Sequence, residues 1–257
     1  MSGTGSQLWA LARRSVVRTI RQPAAIVPAV GFPLFFLAVI SAGASSATKL
    51  PGFPTDSYFK FVLAGAFLQG ALLAGVNGGT DLAVDVESGF LNRLALTPIR
   101  RLGVVVANVA GVLTVSVIQL AAFLAIGFAF GARIEGGVAG VAVLVALGLL
   151  TSAAFGALWA AVALRTGSSE AVQGAFPLGF IVLGFSSFFI PRGLITVGWF
   201  KAVATWNPAS YLIEGMRSLV ITGWDGHALA MAFGVGAGLA ALGFAGAALA
   251  LGRRLAR

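Results

Sequence analysis

The chain has 257 residues, 58% of them hydrophobic and only 10% charged, with a mean hydropathy of +0.97. Soluble domains carry about 25% charged residues, so a water-soluble globule is excluded and an integral membrane protein is implied. The net charge of +9 comes from 17 basic against 8 acidic residues; in a membrane protein such an excess sets orientation, and nucleic acid binding is the weaker reading. With no cysteine and a single histidine, His227, the chain offers no disulfide framework, thiolate site or histidine cluster.

Residues 7–22 are the first element. Trp9, Ala12, Val16 and Ile20 share one stripe of a helix, and Arg14, Arg18 and Arg21 share another. This suits an interfacial amphipathic helix whose apolar side enters the acyl boundary while its arginines meet anionic headgroups. The alternative is a basic flank that only sets orientation. Pro23 separates it from six uncharged apolar runs near 24–42, 61–79, 103–131, 137–164, 171–190 and 228–251. A helix needs roughly 20 apolar residues to cross a hydrocarbon core of about 30 Å, so each run is an expected span. The expected fold is therefore all-α: one polytopic domain over residues 1–257 with six transmembrane helices.

Within the first span, Pro28 and Pro33 each remove a backbone donor and favour a kink. Residues 41–57, rich in Ser, Gly, Ala and Pro, make an exposed loop. Only residues 132–136 join spans three and four, which makes those helices antiparallel neighbours. Small residues recur at helical spacing as Gly75 and Gly79, as Gly148, Ser152 and Gly156, and as Gly234 and Gly238, where helix backbones can approach closely. The basic N-terminus and first apolar run also fit a cleaved leader, but that run exceeds a leader core of about 7–15 residues, so span one is expected to stay attached.

With both termini cytoplasmic, the inner face holds Arg13, Arg14, Arg18, Arg21, Arg93, Arg100, Arg101, Arg165, Arg253, Arg254 and Arg257. The outer face then holds Lys49, Lys60, Arg133, Arg192, Lys201 and Arg217, a division that follows the positive-inside rule. Trp199, Trp206 and Trp224 fall in one outer segment and Trp9 at the inner interface, as an aromatic belt requires. The expected location is the plasma membrane.

Catalytic chemistry is not legible. None of the three lysines sits in a phosphate-cradling Gly-rich motif, and no Gly-x-Ser-x-Gly elbow accompanies His227. The polar groups inside the spans are neutral, among them Gln69, Asn77, Asn108, Gln119, Gln173, Ser186 and Ser187. A gradient-driven transporter usually keeps an ionisable group in the membrane, so energy is expected to enter through a partner chain.

Two segments stand apart from ordinary loops. Residues 81–101 place Val86, Phe90 and Leu94 on one side of a helix, leave Glu87 and Arg93 available to another protein, and break at Pro98. This gives a short helix on the inner face, able to transmit force from a cytosolic partner. Residues 192–225 lie outside and contain a helix start at Asn207 and Pro208, followed by Tyr211, Glu214 and Arg217. Glu214 and Arg217 can pair at i, i+3. Too short and too charged to span, this helix should dip into the outer leaflet and return.

In order and placement, Glu87, Ser88 and Gly89, then Arg93 and Leu94, then Thr97 and Pro98, and later Asn207, Pro208, Tyr211, Glu214 and Arg217 resemble the type-2 ABC exporter permeases, particularly their daunorubicin-resistance-like branch. The likeness covers essentially the whole chain. It implies that two permeases, identical or homologous, pair on two ATPase subunits, which bind the ATP and Mg; no cofactor is expected on this chain. Residues 85–101 would hold the coupling helix, with Asp85, Glu87, Ser88, Gly89, Arg93, Leu94, Pro98, Arg100 and Arg101 at the ATPase contact, assisted by the N-terminal helix. Spans two and five would line the path, making Gln69, Asn77, Phe176, Phe180 and Ser186 pathway candidates, with packing or lipid-facing roles as their alternative. Residues 192–225 would cap the path outside. Two rival classes remain at this stage: a gradient-driven transporter or channel, and a membrane assembly protein that moves nothing.

Overall fold

A backbone in hydrocarbon has to satisfy its own N–H and C=O groups, and helices do this within one segment. The computed structural model describes residues 4–91 and 101–254, and these form helices joined by turns and by two longer segments, 44–57 and 185–197. In chain order they are α1 (Thr4–Ile20), α2 (Pro23–Gly43), α3 (Tyr58–Glu87), α4 (Arg101–Ala129), α5 (Gly137–Thr166), α6 (Ser169–Gly174), α7 (Phe176–Gly184), α8 (Gly198–Trp206), α9 (Pro208–Ile221) and α10 (Gly226–Arg254). Among the described residues five helices are long and apolar enough to cross a membrane: α2, α3, α4, α5 and α10. The all-α membrane architecture expected from the composition is what the chain adopts.

The expected fifth span, residues 171–190, is not one helix. It consists of α6, with 6 residues, and α7, with 9, followed by turns through residue 190. Gly174 and Pro177 flank the break, and a proline cannot supply the N–H that would continue the ladder across it. Residues 81–87, expected to begin a separate helix, are instead the last turns of α3. That helix has 30 residues and rises about 45 Å at about 1.5 Å per residue, well beyond an apolar core of about 30 Å. Its acidic final turns can therefore stand clear of hydrocarbon. Gly89, at φ +69°, turns the chain after it.

The bundle has two distinct ends. One carries α1, the starts of α2, α4 and α6, and the finishes of α3, α5 and α10; we call it the arginine-rich end. The other carries the start of α3, the α4–α5 turn and the α8–α9 hairpin. Trp9 stands 70% exposed at the first end, and Trp199, Trp206 and Trp224 stand exposed at the second. At the centre runs α3, packed against α2, α4, α5, α6 and α9, with every residue from Phe61 to Leu72 buried.

Close helix approach occurs at some of the expected small residues and not at others. A Cβ on Gly79 would lie 2.9 Å from the Trp159 Cβ, and one on Gly148 would lie 2.7 Å from a Leu120 methyl. Gly234 and Gly238 face open space; it is Gly243 that lets α10 meet the α5 backbone, 2.7 Å from Leu158 N to an added Cβ.

Interior hydroxyls bond back to their own helices: Ser116 donates to Val112 O at 2.9 Å, Thr151 to Leu147 O at 2.7 Å and Ser152 to Gly148 O at 2.9 Å. The prolines of α2 lie within a continuous helix, and one of them explains a long-range contact. Pro33 has no N–H to give the carbonyl four residues back, that of Ala29, and Gln119 of α4 donates its Nε2–H to that oxygen at 2.8 Å. Gln119→Leu should orphan the Ala29 carbonyl and cost about 1 kcal/mol. Adding Pro33→Ala should recover most of the loss, because an alanine at that position restores the missing donor; thermal unfolding of the purified single and double variants measures both effects.

Candidate functional site

The arginine-rich end is organised by two charge pairs with the same spacing. Arg14 and Arg18 lie one turn apart on α1, and Asp81 and Asp85 one turn apart on α3. Arg14 donates to both Asp85 oxygens at 3.2 and 3.3 Å, while Arg18 reaches Asp85 at 3.2 Å and Asp81 at 2.8 Å. The Arg14 guanidinium also covers the Phe90 ring, 4.0 Å from its centroid. The arginine stripe of α1, expected to meet lipid headgroups, thus faces the protein at Arg14 and Arg18. Matched carboxylates satisfy a guanidinium with two directed bonds, which a mobile headgroup does not hold in place. Arg21 stays exposed, and so do Trp9 and Ile20 on the apolar side.

Glu87, two residues beyond Asp85 and on the opposite side of α3, is exposed yet bonded within the chain. Its carboxylate accepts from Ser169 N–H at 2.6 Å and from Ser169 Oγ–H at 3.3 Å. Ser169 opens α6, separated by the N-cap Ser168 from the left-handed Gly167 that ends α5. Arg254 of α10 packs against the same turn and donates to Leu164 O at 3.0 Å. The α5–α6 turn is thereby held by α3 on one side and α10 on the other. Ser88 Oγ donates to Asp85 O at 3.3 Å. Arg93, Leu94, Thr97, Pro98 and Arg100, the remainder of the expected coupling segment, lie outside the described residues, and Arg101 begins α4.

Of the expected pathway residues only Phe176 and Phe180 come together. Gln69 is buried in α3 with its Oε1 unpartnered, and Ser186 is buried in the turns after α7, donating to Leu183 O at 2.6 Å. Asn77 lines a cavity of about 20 Å³ with Ser15, Thr19, Asp81 and Asn108, and a neighbouring cavity of about 40 Å³ lies beside Arg14 and Asp85. Spaces of this size suit single waters, for which the unpartnered Asn108 Nδ2 is a ready donor, and not a cargo. Phe176 and Phe180 meet edge-to-face at 4.9 Å, and Phe180 meets Phe32 of α2 edge-on at 5.8 Å. This aromatic seam joins α7 to α2 beside a run of exposed apolar side chains: Phe35, Leu178 and Ile181.

At the other end the Asn207 elbow does more than start a helix. Its Oδ1 accepts from Ala209 N–H at 2.9 Å, the expected cap of α9. Its Nδ2 donates to Val182 O at 2.7 Å and Phe185 O at 3.0 Å, closing the carbonyl end of α7. The expected Glu214–Arg217 pair does not form. Glu214 instead binds Arg192, whose guanidinium also stacks over Tyr211, 4.6 Å from the ring centroid. Arg217 is buried against the Phe61 ring at 3.6 Å and donates to the carbonyls of Phe61 at 3.2 Å, Ser187 at 2.9 Å and Phe188 at 3.3 Å. Ser187 and Phe188 lie in the non-helical turns after α7, so their carbonyls are free to accept from a cation. Arg192 as the partner of Glu214 was not legible, because the bond spans 22 residues with no periodic signal.

A wider cavity of about 390 Å³ at this end, lined by Ile40, Gly43, Ala47, Leu50, Phe53, Tyr58 and Ile190, is almost wholly apolar. It falls in the size range of small-molecule sites, roughly 300–1,000 Å³. Sequence reading missed it, since it forms where residues 44–57 fold over the ends of α2 and α3.

Charged groups gathered at the two ends of a long-helix bundle define a polytopic membrane protein with a polar handle at one end and a helical hairpin at the other. Residues 6–221 match the family described as ABC-2 type transporter, and the chain belongs to that family. It is 25% identical over 218 residues to a probable doxorubicin resistance ABC transporter permease protein, DrrC, of Mycobacterium tuberculosis, covering 82% of this chain and 75% of that protein. It is 24% identical over 221 residues to the putative transport permease ycf38 of Porphyra purpurea, covering 85% of this chain and 76% of that one. The family resemblance drawn from the two motif segments is thus borne out. The chain is a multi-pass membrane subunit of an ABC transporter, a family whose permeases work with ABC ATPase subunits.

Asp85→Lys should set a cation against Arg14 and Arg18 and loosen α1 from the bundle. Arg14→Glu in the same chain should recover part of the loss, with a coupling of about 1 kcal/mol in a double-mutant cycle on thermal unfolding.

Proposed function

We propose that this chain is the permease half of an ATP-driven exporter that moves a hydrophobic or amphipathic substrate out across the plasma membrane. The observation that carries this reading is the family match over residues 6–221 together with the charged handle of Asp81, Asp85 and Glu87 at the end of the central helix. An ATPase subunit with its ATP and Mg works on that end, which faces the cytosol along with both termini. Arg93, Arg100 and Arg101 supply further contacts to it, and the broken α6–α7 segment completes a sixth crossing.

The α8–α9 hairpin dips into the outer leaflet and returns, with Asn207 at its deepest point. Leu212, close to Gly236 well inside α10, supports that depth. A second permease copy, the same or homologous, pairs with this one; the exposed apolar side chains of α2 and α7 favour a membrane-embedded partner surface there. The apolar cavity of about 390 Å³ and the drug named for the mycobacterial relative favour an amphipathic cargo over a polar one.

Coexpression of the chain with an ABC ATPase subunit from the same source should yield a copurifying complex. In inverted vesicles that complex should accumulate doxorubicin only with ATP, and lose this when the Walker A lysine of the ATPase is replaced. Nucleotide-independent movement by the permease alone would instead favour a gradient-driven carrier, and an inserted chain that binds no ATPase would contradict the proposal.

A further inference from the structure

Three contacts run in series along the interrupted crossing formed by α6 and α7. Glu87, on the last turn of α3, holds Ser169 N–H at 2.6 Å and Ser169 Oγ–H at 3.3 Å. Ser169 is the first residue of α6, a helix of 6 residues that continues into α7 across the break at Ala175. The far end of α7 is fastened by Asn207 Nδ2, which donates to Val182 O at 2.7 Å and Phe185 O at 3.0 Å. We infer that Glu87 is a positioning residue that hands displacement of the charged end of α3 to α6 and α7, and through Asn207 to the α8–α9 hairpin. This rests on the reading that an ATPase acts on the arginine-rich end, and it adds to what Glu87 does there: its carboxylate, though exposed, is bonded to the permease's own α6.

The two bonds lie at the exposed surface, one short and one long, and what they supply is direction. A carboxylate taking two donors from one residue is a charge-assisted, directional contact, stronger than a neutral hydrogen bond. The turn it grips cannot slide away freely, because Arg254 holds it from the α10 side through Leu164 O at 3.0 Å. Beyond the grip, α6 and α7 have compliance that the long helices lack. Pro177 removes one ladder donor, Gly174 has no neighbour within 4 Å of an added Cβ, and α6 buries only Val172. Movement delivered at Ser169 therefore changes the angle at the break before it disturbs the packed core. The first side chains past the break are those of the Phe176–Phe180–Phe32 seam, so the displacement arrives where α7 meets α2.

Hydrogen–deuterium exchange of the permease–ATPase complex, without nucleotide and with ATP plus vanadate, tests this directly. In the parent, trapping should alter exchange both in the last turns of α3 and in α6. In Glu87→Ala the change in α3 should persist and the change in α6 should be lost, while Glu87→Gln, whose amide oxygen still accepts from Ser169 N–H, should behave as the parent. Because the chain has no native cysteine, Glu87→Cys with Ser169→Cys can be tied by a short bifunctional thiol reagent. That tie should restore the α6 response, and it keeps the test decisive if the alanine variant folds poorly. Retention of the α6 response in Glu87→Ala, or its absence in the tied pair, overturns the link. A parent complex with no nucleotide-dependent change at either place overturns the functional reading, and the link with it.

Discussion

Hydrocarbon does not tolerate charge or unbonded backbone, and the arrangement of this protein follows from where each such group finds relief. The acidic turns of α3 find it by overrunning the apolar core and meeting Arg14 and Arg18. The Ala29 carbonyl, deprived of a donor by Pro33, finds it in Gln119. Arg217 finds it in three carbonyls and the face of Phe61. With these groups satisfied locally, the middle of the bundle is left to packing, and the charged groups that can exchange partners collect at the two ends. A transport subunit that receives work from another chain needs such a division: a stiff apolar rod through the centre, and a polar handle where the rod emerges.

Much of this was legible in the sequence. Long uncharged runs fixed four of the crossings to within a few residues, and Asn207 with Pro208 marked the start of α9 because a cap and a proline have only one favourable place in a helix. The i, i+4 spacing of Arg14 with Arg18 and of Asp81 with Asp85 was also available, and pairing the two would have turned the stripe of α1 inward. Other features were not. Hydropathy sees that residues 171–190 are apolar but not that Gly174 and Pro177 divide them into α6 and α7. The partners of Glu87, Glu214 and Arg217 lie 82, 22 and up to 156 residues away, and no local period reports contacts made only by the fold.

The same division explains why the expected pathway residues scatter. Gln69 and Ser186 are interior polar groups whose positions serve a single chain's packing, and Asn77 borders water-sized spaces. Phe176 and Phe180 sit at a surface shared by α2 and α7, next to exposed apolar side chains. A path built between two permeases would be lined by faces like this one, not by the centre of α3. At the other end Asn207, Arg192 and Arg217 tie the turns after α7 to α9 and α3, and α9 packs on α10, so that an irregular segment is firmly hydrogen-bonded.

The account stands on the arginine-rich end facing the compartment that holds the ATPase. A single cysteine placed at Ser88 in this cysteine-free chain, probed in intact cells and in inverted vesicles with a membrane-impermeant maleimide, tests this most directly. Labelling in inverted vesicles and protection in intact cells, with the reverse pattern for a cysteine at Trp224, exposed in the turn between α9 and α10, is the predicted result. Labelling of the Ser88 position from outside the cell would contradict it.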